Sequence, residues 1–310
     1  MDQEYFNSLN NRQREAVEAT EGRIRVVAGA GSGKTKALTC RYAYLVNVLG
    51  VDPANILCLT FTNKAAQEMR QRISKLVASG DYNDFVCTIH GFCVKFLRQE
   101  IHRLGYPKSF TILDEEDQKQ LAKQVMEELG LNRTVETVGQ FLDGVANRKI
   151  NEFLQQPNYM DRMMLTEGLS DSHDKTSDVT TSDEETDIQQ AQDMAFIRYL
   201  QLQKKTLALD FQDLIFFTIH ILKRFPEVCE HWQNEMEYIM LDEAQDCNKS
   251  DWTIVETLQG IHHNLFIVGD PDQAIYEWRG AKPKMFIEFK ADRTIVLDQN
   301  YRSTTPILSV

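Results

Sequence analysis

The sequence predicts an α/β fold: a parallel sheet flanked by helices, with an all-helical subdomain inserted into it. Three observations carry that prediction. Short apolar runs recur, each ending in polar or glycine-rich residues and followed by helical periodicity. One of those turns reads Ala28-Gly-Ala-Gly-Ser-Gly-Lys-Thr35. The alternation of strand and helix stops near residue 113, and no convincing strand follows before about residue 207, leaving a stretch with helical patterning alone.

With 310 residues the chain is long enough for about two domains and a full core. Lysine and arginine number 34 against 46 aspartates and glutamates, a net charge of −12. Such a balance argues against a protein that coats nucleic acid by charge alone, so any nucleic-acid site must be local. Residues 167–187 hold eight carboxylates against only Lys175, so this tract accounts for most of the excess. The six cysteines show no paired ligand spacing, and no window approaches the roughly 18 apolar residues of a membrane span. A reduced, soluble, cytoplasmic setting is expected.

In chain order, Leu9 to Val17 reads as a short helix capped by Asn10 or Asn11, with Gln13 an ordinary exposed position on local grounds. The β-branched run Arg23 to Val27 is a strand that ends in the glycine-rich turn, and Leu38, Tyr42 and Leu45 mark the helix beyond. Strand, phosphate loop and helix is the resulting unit. Glycines let the amides of Ala30, Gly31, Ser32 and Gly33 converge on phosphate oxygens at a positive helix end. Lys34 then bridges terminal phosphates, and Thr35 can hold magnesium. Ala28 stands where the strict pattern has glycine, a variant the closer Gly31 and Gly33 should tolerate.

A second strand, Ile56 to Thr60, leads through Phe61 and Asn63 into a helix with Ala66, Met69, Ile73 and Leu76 on one face and Gly80 as its stop. A third, Phe85 to Ile89, ends in His90-Gly-Phe92. Asp114 then caps a helix ending at Gly130, and Val138 to Phe153 carries another helical period. The acidic tract within 167–190 is expected to be a mobile, dispensable loop, having little apolar surface to bury.

The sheet pattern resumes with Tyr238 to Leu241, which runs into Asp242-Glu243-Ala-Gln245-Asp246. A carboxylate at a strand tip can hold magnesium, and a neighbour pointing elsewhere can polarise a water. Consecutive acids after a strand otherwise serve as a helix cap. Leu265 to Val268 precedes Gly269-Asp-Pro-Asp-Gln273, Tyr276 and Trp278, and Thr294 to Leu297 leads to Gln299-Asn-Tyr301-Arg302. Phe61 and Trp278 could stack on bases or simply close the ends of the core.

Eight motifs in order resemble the superfamily 1 DNA helicases of the UvrD, PcrA and Rep kind. They are Leu9-Asn10 with Gln13, Ala28 to Thr35, Leu59 to Ala66 with Met69, Thr88 to Phe92, Leu209 to Leu214, Leu241 to Asp246, Val268 to Ala281 and Asn300 to Ser303. The resemblance implies a RecA-like P-loop NTPase that couples ATP hydrolysis, with magnesium, to 3′ to 5′ movement on single-stranded DNA or a 3′-tailed duplex. It implies that Gln13 reads the adenine, that Tyr301 stacks on it opposite Lys36, and that Asp242 and Thr35 hold the metal. Glu243 would be the base, Gln273 the sensor of the terminal phosphate and Arg302 an arginine finger in cis. Phe61, Asn63, His90, Tyr276 and Trp278 fall where the family holds DNA.

Some positions depart from the pattern. Lys36 replaces a common arginine, Glu277 a common basic residue and Gln212 a common acid. The family's later motifs are missing, so the chain resembles an N-terminal piece with little unwinding of its own. Its expected parts are 1–112 and 208–298 for the motor domain, 113–207 for the insertion and 299–310 for a stub of a second motor domain. The motor part of a helicase-nuclease subunit would look much the same, and a nucleotide-binding module without turnover is a further alternative.

Overall fold

The computed structural model describes residues 6–77, 85–131, 135–155 and 184–301. Gly80, the acidic tract through residue 183 and Arg302 lie outside them. The chain forms two compact units, Met1–Phe92 with Leu222–Val310, and Cys93–Ile221. Among the described residues no helix is long and apolar enough to cross a membrane.

The first unit contains a sheet of six parallel strands: β1 (Arg23–Ala28), β2 (Ile56–Thr60), β3 (Val86–Thr88), β6 (Tyr238–Leu241), β7 (Leu265–Gly269) and β8 (Arg293–Leu297). Their spatial order is β3-β2-β6-β7-β1-β8. β2 and β7 are buried throughout, which is what uninterrupted apolar runs require when both faces are covered. β8 lies at the edge and alternates, with Val296 exposed and Ile295 buried. Because all the strands are parallel, the ends of β1, β2, β6 and β7 open on one edge. The chain crosses over between β1 and β2, so that edge includes a topological switch point, where open α/β sheets bind ligands.

Helices α1 (Asn11–Glu18), α2 (Lys34–Asn47) and α3 (Asn63–Leu76) belong to this unit. Leu38, Tyr42 and Leu45 of α2 and Met69 and Ile73 of α3 pack on Val26, Cys58, Met240 and Phe266. Arg41, three residues after Leu38 and on the same helix face as Leu38, Tyr42 and Leu45, is fully buried despite its charge. It donates to the Ala16 and Thr20 carbonyls at 3.1 and 3.0 Å and to that of Ala19, satisfying the end of α1. Its guanidinium also lies 4.4 Å from the centroid of the Phe266 ring. The third strand is shorter than expected: Ile89 starts α4 (Ile89–Glu100), and Phe92 within it is fully buried.

The second unit includes α5 (Glu115–Glu128), α6 (Val135–Gln155) and α7 (Glu184–Lys205). Its limits fall outside the expected 113 and 207, because the chain enters and leaves through α4 and α8 (Phe211–Arg224). It is not purely helical: β4 (Thr111–Ile112) pairs in parallel with β5 (Ala208–Leu209). Two-residue strands from opposite ends of the insert leave no periodic trace in the sequence. The expected loop to residue 190 is also corrected, since α7 begins at Glu184. Acids at a helix N-terminus complement its dipole, so the charge that reads as loop also suits a first turn.

Val125, Val145, Ala195, Phe196 and Tyr199 form the core of this unit, and a buried charge cluster adjoins it. Lys149, fully buried, donates to Asp210 Oδ2 at 2.6 Å, Asp213 Oδ1 at 2.9 Å and Gln203 Oε1 at 3.0 Å. The Asp210 and Asp213 carboxylates also each accept the other's backbone N–H, as a capping box for α8. The Leu209 to Leu214 motif is therefore a structural fastening. Burial and the Asp210 charge push Asp213 up to about 7. Burial acts on Asp210 as well, but the Lys149 charge outweighs it and holds that carboxyl below its usual range.

Candidate functional site

The phosphate loop leaves β1 at Ala28, whose methyl group is fully buried in the core. A side chain at this position is tolerated because it points into the sheet's packing. Gly31 and Gly33 have φ of +73° and +84°, which only glycine adopts without strain. Any Cβ on Gly33 would also lie 2.5 Å from Gln13 Nε2. Gln13 is only 1% exposed, contrary to its local reading. Its Nε2 donates to the Ser32 carbonyl at 2.9 Å, and its Oε1 accepts from Asn10 N–H at 3.2 Å. Gln13 thus closes the capping box of α1 and braces the phosphate loop.

A cavity of about 330 Å³ lies over this loop, lined by Ala30, Gly31, Gly33, Lys34, Thr35, Lys36, Arg72, Glu243, Gln273 and Tyr301. Most of the expected nucleotide-site residues meet here. Tyr301 is tied to the phosphate loop: its N–H donates to Gly31 O at 2.9 Å, and Asn300 Nδ2 donates to Ala30 O at 3.0 Å. Lys36 Nζ donates to Ser8 O at 2.9 Å. Arg72 is a wall residue that the motifs miss. It sits on α3 and pairs with Glu68 one turn earlier, and no local pattern separates it from other surface arginines.

The acid pair sits at the tip of β6. Asp242 is buried, and its N–H donates to Leu59 O at 2.8 Å. Glu243 adopts φ 50° and ψ 44°, a left-handed conformation rare outside glycine, and its N–H donates to Asp242 Oδ1 at 3.1 Å. Neither acid caps a helix: the short turn Ala244–Asp246 has no side-chain cap bond. Glu243 Oε2 instead accepts from Lys34 Nζ at 3.0 Å. Burial and the Glu243 charge push Asp242 up to about 7. At the tip of β7, Gln273 donates from its side chain to Asp270, which also accepts from Asp272 N–H.

The expected nucleic-acid residues lie on the same unit. Phe61 stacks on Tyr276 with ring centroids 4.7 Å apart and an interplanar angle of 29°. Trp278 is 75% exposed, so it closes no core. Ile275, not among the expected nucleic-acid residues, is 68% exposed. Asn63 is exposed at the start of α3, and burial lowers the pKa of His90, favouring its neutral form.

Residues 9–294 match the family model described as UvrD/REP helicase N-terminal domain. A Staphylococcus aureus (strain Mu50) protein described as ATP-dependent DNA helicase PcrA is 39% identical over 308 residues, covering 98% of this chain and 39% of that protein. The protein of the same description from Staphylococcus epidermidis (strain ATCC 12228) is 39% identical over 306 residues, covering 97% and 39%. The chain thus spans well under half the length of these curated relatives.

Proposed function

Because this chain belongs to the UvrD/REP helicase N-terminal domain family, we propose that it is the nucleotide-binding motor part of a cytoplasmic ATP-dependent DNA helicase. The observation that carries this reading is the Lys34 to Glu243 contact of 3.0 Å beside the phosphate loop in one cavity. Amides of Gly31 to Thr35 cradle the phosphates, and Lys34 moves from Glu243 onto the terminal ones. Glu243 then accepts a proton from the water that attacks the γ-phosphorus, as the bond to the bridging oxygen breaks and ADP leaves. The Thr35 hydroxyl and Asp242 carboxylate are hard oxygen donors that fit magnesium, and the raised pKa of Asp242 is that of a buried carboxylate suited to a cation. The metal would neutralise charge building on the phosphates.

Gln13, Tyr301 and Lys36 serve the adenine in this reading, and Gln273 reports the state of the terminal phosphate. Arg302 is assigned the arginine finger on resemblance alone. Phe61, Asn63, His90, Tyr276 and Trp278 hold single-stranded DNA by stacking, which an acidic protein can do without a large basic surface. Movement is 3′ to 5′. Titrating a fluorescent ATP analogue with magnesium against wild type and Lys34→Ala tests the core of the reading. A large loss of affinity in the variant is expected, and equal affinity in the two would overturn it.

A further inference from the structure

Gln245 has no place in the chemistry above, although its side chain touches two of the residues that do. It is 1% exposed, and each of its polar atoms is engaged. Nε2 donates to Glu243 Oε2 at 2.9 Å and lies 3.3 Å from Asp246 Oδ2. Oε1 accepts from Asp270 N–H at 3.0 Å. Asp270 in turn accepts from the Gln273 side chain. One line of hydrogen bonds therefore runs from Glu243 through Gln245 and Asp270 to Gln273, across the tips of the neighbouring strands β6 and β7.

A second observation shows that the fold makes room for this side chain. A Cβ on Gly269 would lie 2.5 Å from Gln245 Oε1 and 3.2 Å from the Phe286 ring. No positive φ marks Gly269, so the backbone does not require glycine there. A Cβ there would instead have to displace the end of the Gln245 side chain and press on the Phe286 ring.

We propose that Gln245 is a positioning residue that orients Glu243 and ties it to the Gln273 turn, so that the two move together. Glu243 Oε2 accepts from two donors, Lys34 and Gln245. Terminal phosphates compete for the lysine charge, whereas a buried neutral amide has no such rival. Gln245 is then the donor that keeps the carboxylate in place while nucleotide is bound. The left-handed backbone at Glu243 makes such a hold necessary, because a strained residue keeps its conformation only when its surroundings over-determine it. The same amide reports, through Asp270 N–H, where the Gln273 turn lies.

This inference rests on the nucleotide reading, and three variants of the 310-residue chain separate the two. Gln245→Met fills the space but removes the hydrogen bonds to Glu243, Asp246 and Asp270. Gln245→Glu keeps an acceptor for Asp270 N–H and loses the donor to Glu243. Gly269→Ala displaces the Gln245 side chain without changing any site residue. Hydrogen exchange of the Asp270 amide should quicken by about fivefold to tenfold in Gln245→Met and Gly269→Ala, the loss of one ordinary hydrogen bond, and stay near wild type in Gln245→Glu. Phosphate release with Mg-ATP should fall at least tenfold in all three, with fluorescent-nucleotide affinity within about threefold of wild type. Gly269→Ala should add nothing to Gln245→Met, since both remove the same side chain from its place.

The exchange pattern is read whether or not the chain turns over nucleotide. Wild-type exchange in Gln245→Met, or wild-type phosphate release in the variants while Glu243→Gln is dead, overturns the positioning role alone. Nucleotide affinity unaffected by Lys34→Ala overturns the reading beneath it, and leaves the exchange pattern to decide the hydrogen-bond line by itself.

Discussion

The Asn10 side-chain amide donates to the Tyr301 hydroxyl at 2.7 Å. The same group donates to Gln299 Oε1 at 3.2 Å, while Asn10 Oδ1 accepts from Gln13 N–H at 2.7 Å. One residue near the start of the chain thus caps α1 and holds a wall of the nucleotide cavity contributed from beyond β8. Asn10→Ser keeps the cap acceptor but cannot reach the phenol. Affinity for a fluorescent ATP analogue should fall by about fivefold, with little change in melting temperature, and Tyr301→Phe should do the same. The double variant should be no weaker than either single one. Additive losses would show that the two side chains act separately.

Glu243→Gln should keep or tighten nucleotide binding, because an amide no longer competes with phosphate for the Lys34 charge. Phosphate release should drop on the order of 10²–10⁴-fold, since the amide cannot take the water's proton. Steady-state phosphate release and equilibrium titration on the same preparation check both halves. Unchanged turnover would move the base elsewhere.

Trp278→Ala should weaken binding of single-stranded oligonucleotides by about 1–3 kcal/mol, whatever their sequence, if the indole stacks on a base. Being 75% exposed, the ring contributes little to packing, so the melting temperature should hold. Fluorescence anisotropy at fixed salt is the measurement. A stable variant that binds DNA as the wild type does would remove Trp278 from the interface.

Lys149 predicts a stability effect far from this chemistry. Lys149→Met leaves the buried Asp210 and Asp213 without their cation and should destabilise the insert by about 3–5 kcal/mol. Titration of Asp213 adds a pH dependence. Its carboxyl lies at about 7 in the folded chain against 3.8 ordinarily, so the folded state holds the proton more tightly. The stabilisation is complete below the ordinary value and is lost as pH rises toward 7. Melting temperature without magnesium should therefore decline from pH 5 to 8. Asp213→Asn should flatten only part of that slope, because Asp242 has the same sign.

The six strands of the main sheet and the helices that follow the phosphate loop were legible from the sequence alone. Each is a local pattern: an apolar run, a glycine turn or a 3.6-residue period. The ends of β1, β2, β6 and β7 could likewise be placed near one another, because parallel strands put their carboxyl ends on one edge. Lys34, Thr35, Glu243 and Gln273 met in one cavity for that reason.

Contacts between distant segments were decided by tertiary structure. Gln13 reads as an exposed helix residue until the loop closes over it, and the three carbonyls that Arg41 meets are supplied only when the end of α1 packs against α2. The two-residue ladder of β4 and β5 has no period to detect, and Tyr301 finds its anchors on Gly31 and Asn10 at the other end of the chain. Local patterns report which face of an element is apolar. They carry nothing about which polar group a buried side chain will meet, because that partner is chosen only when the elements pack and every buried donor must find an acceptor.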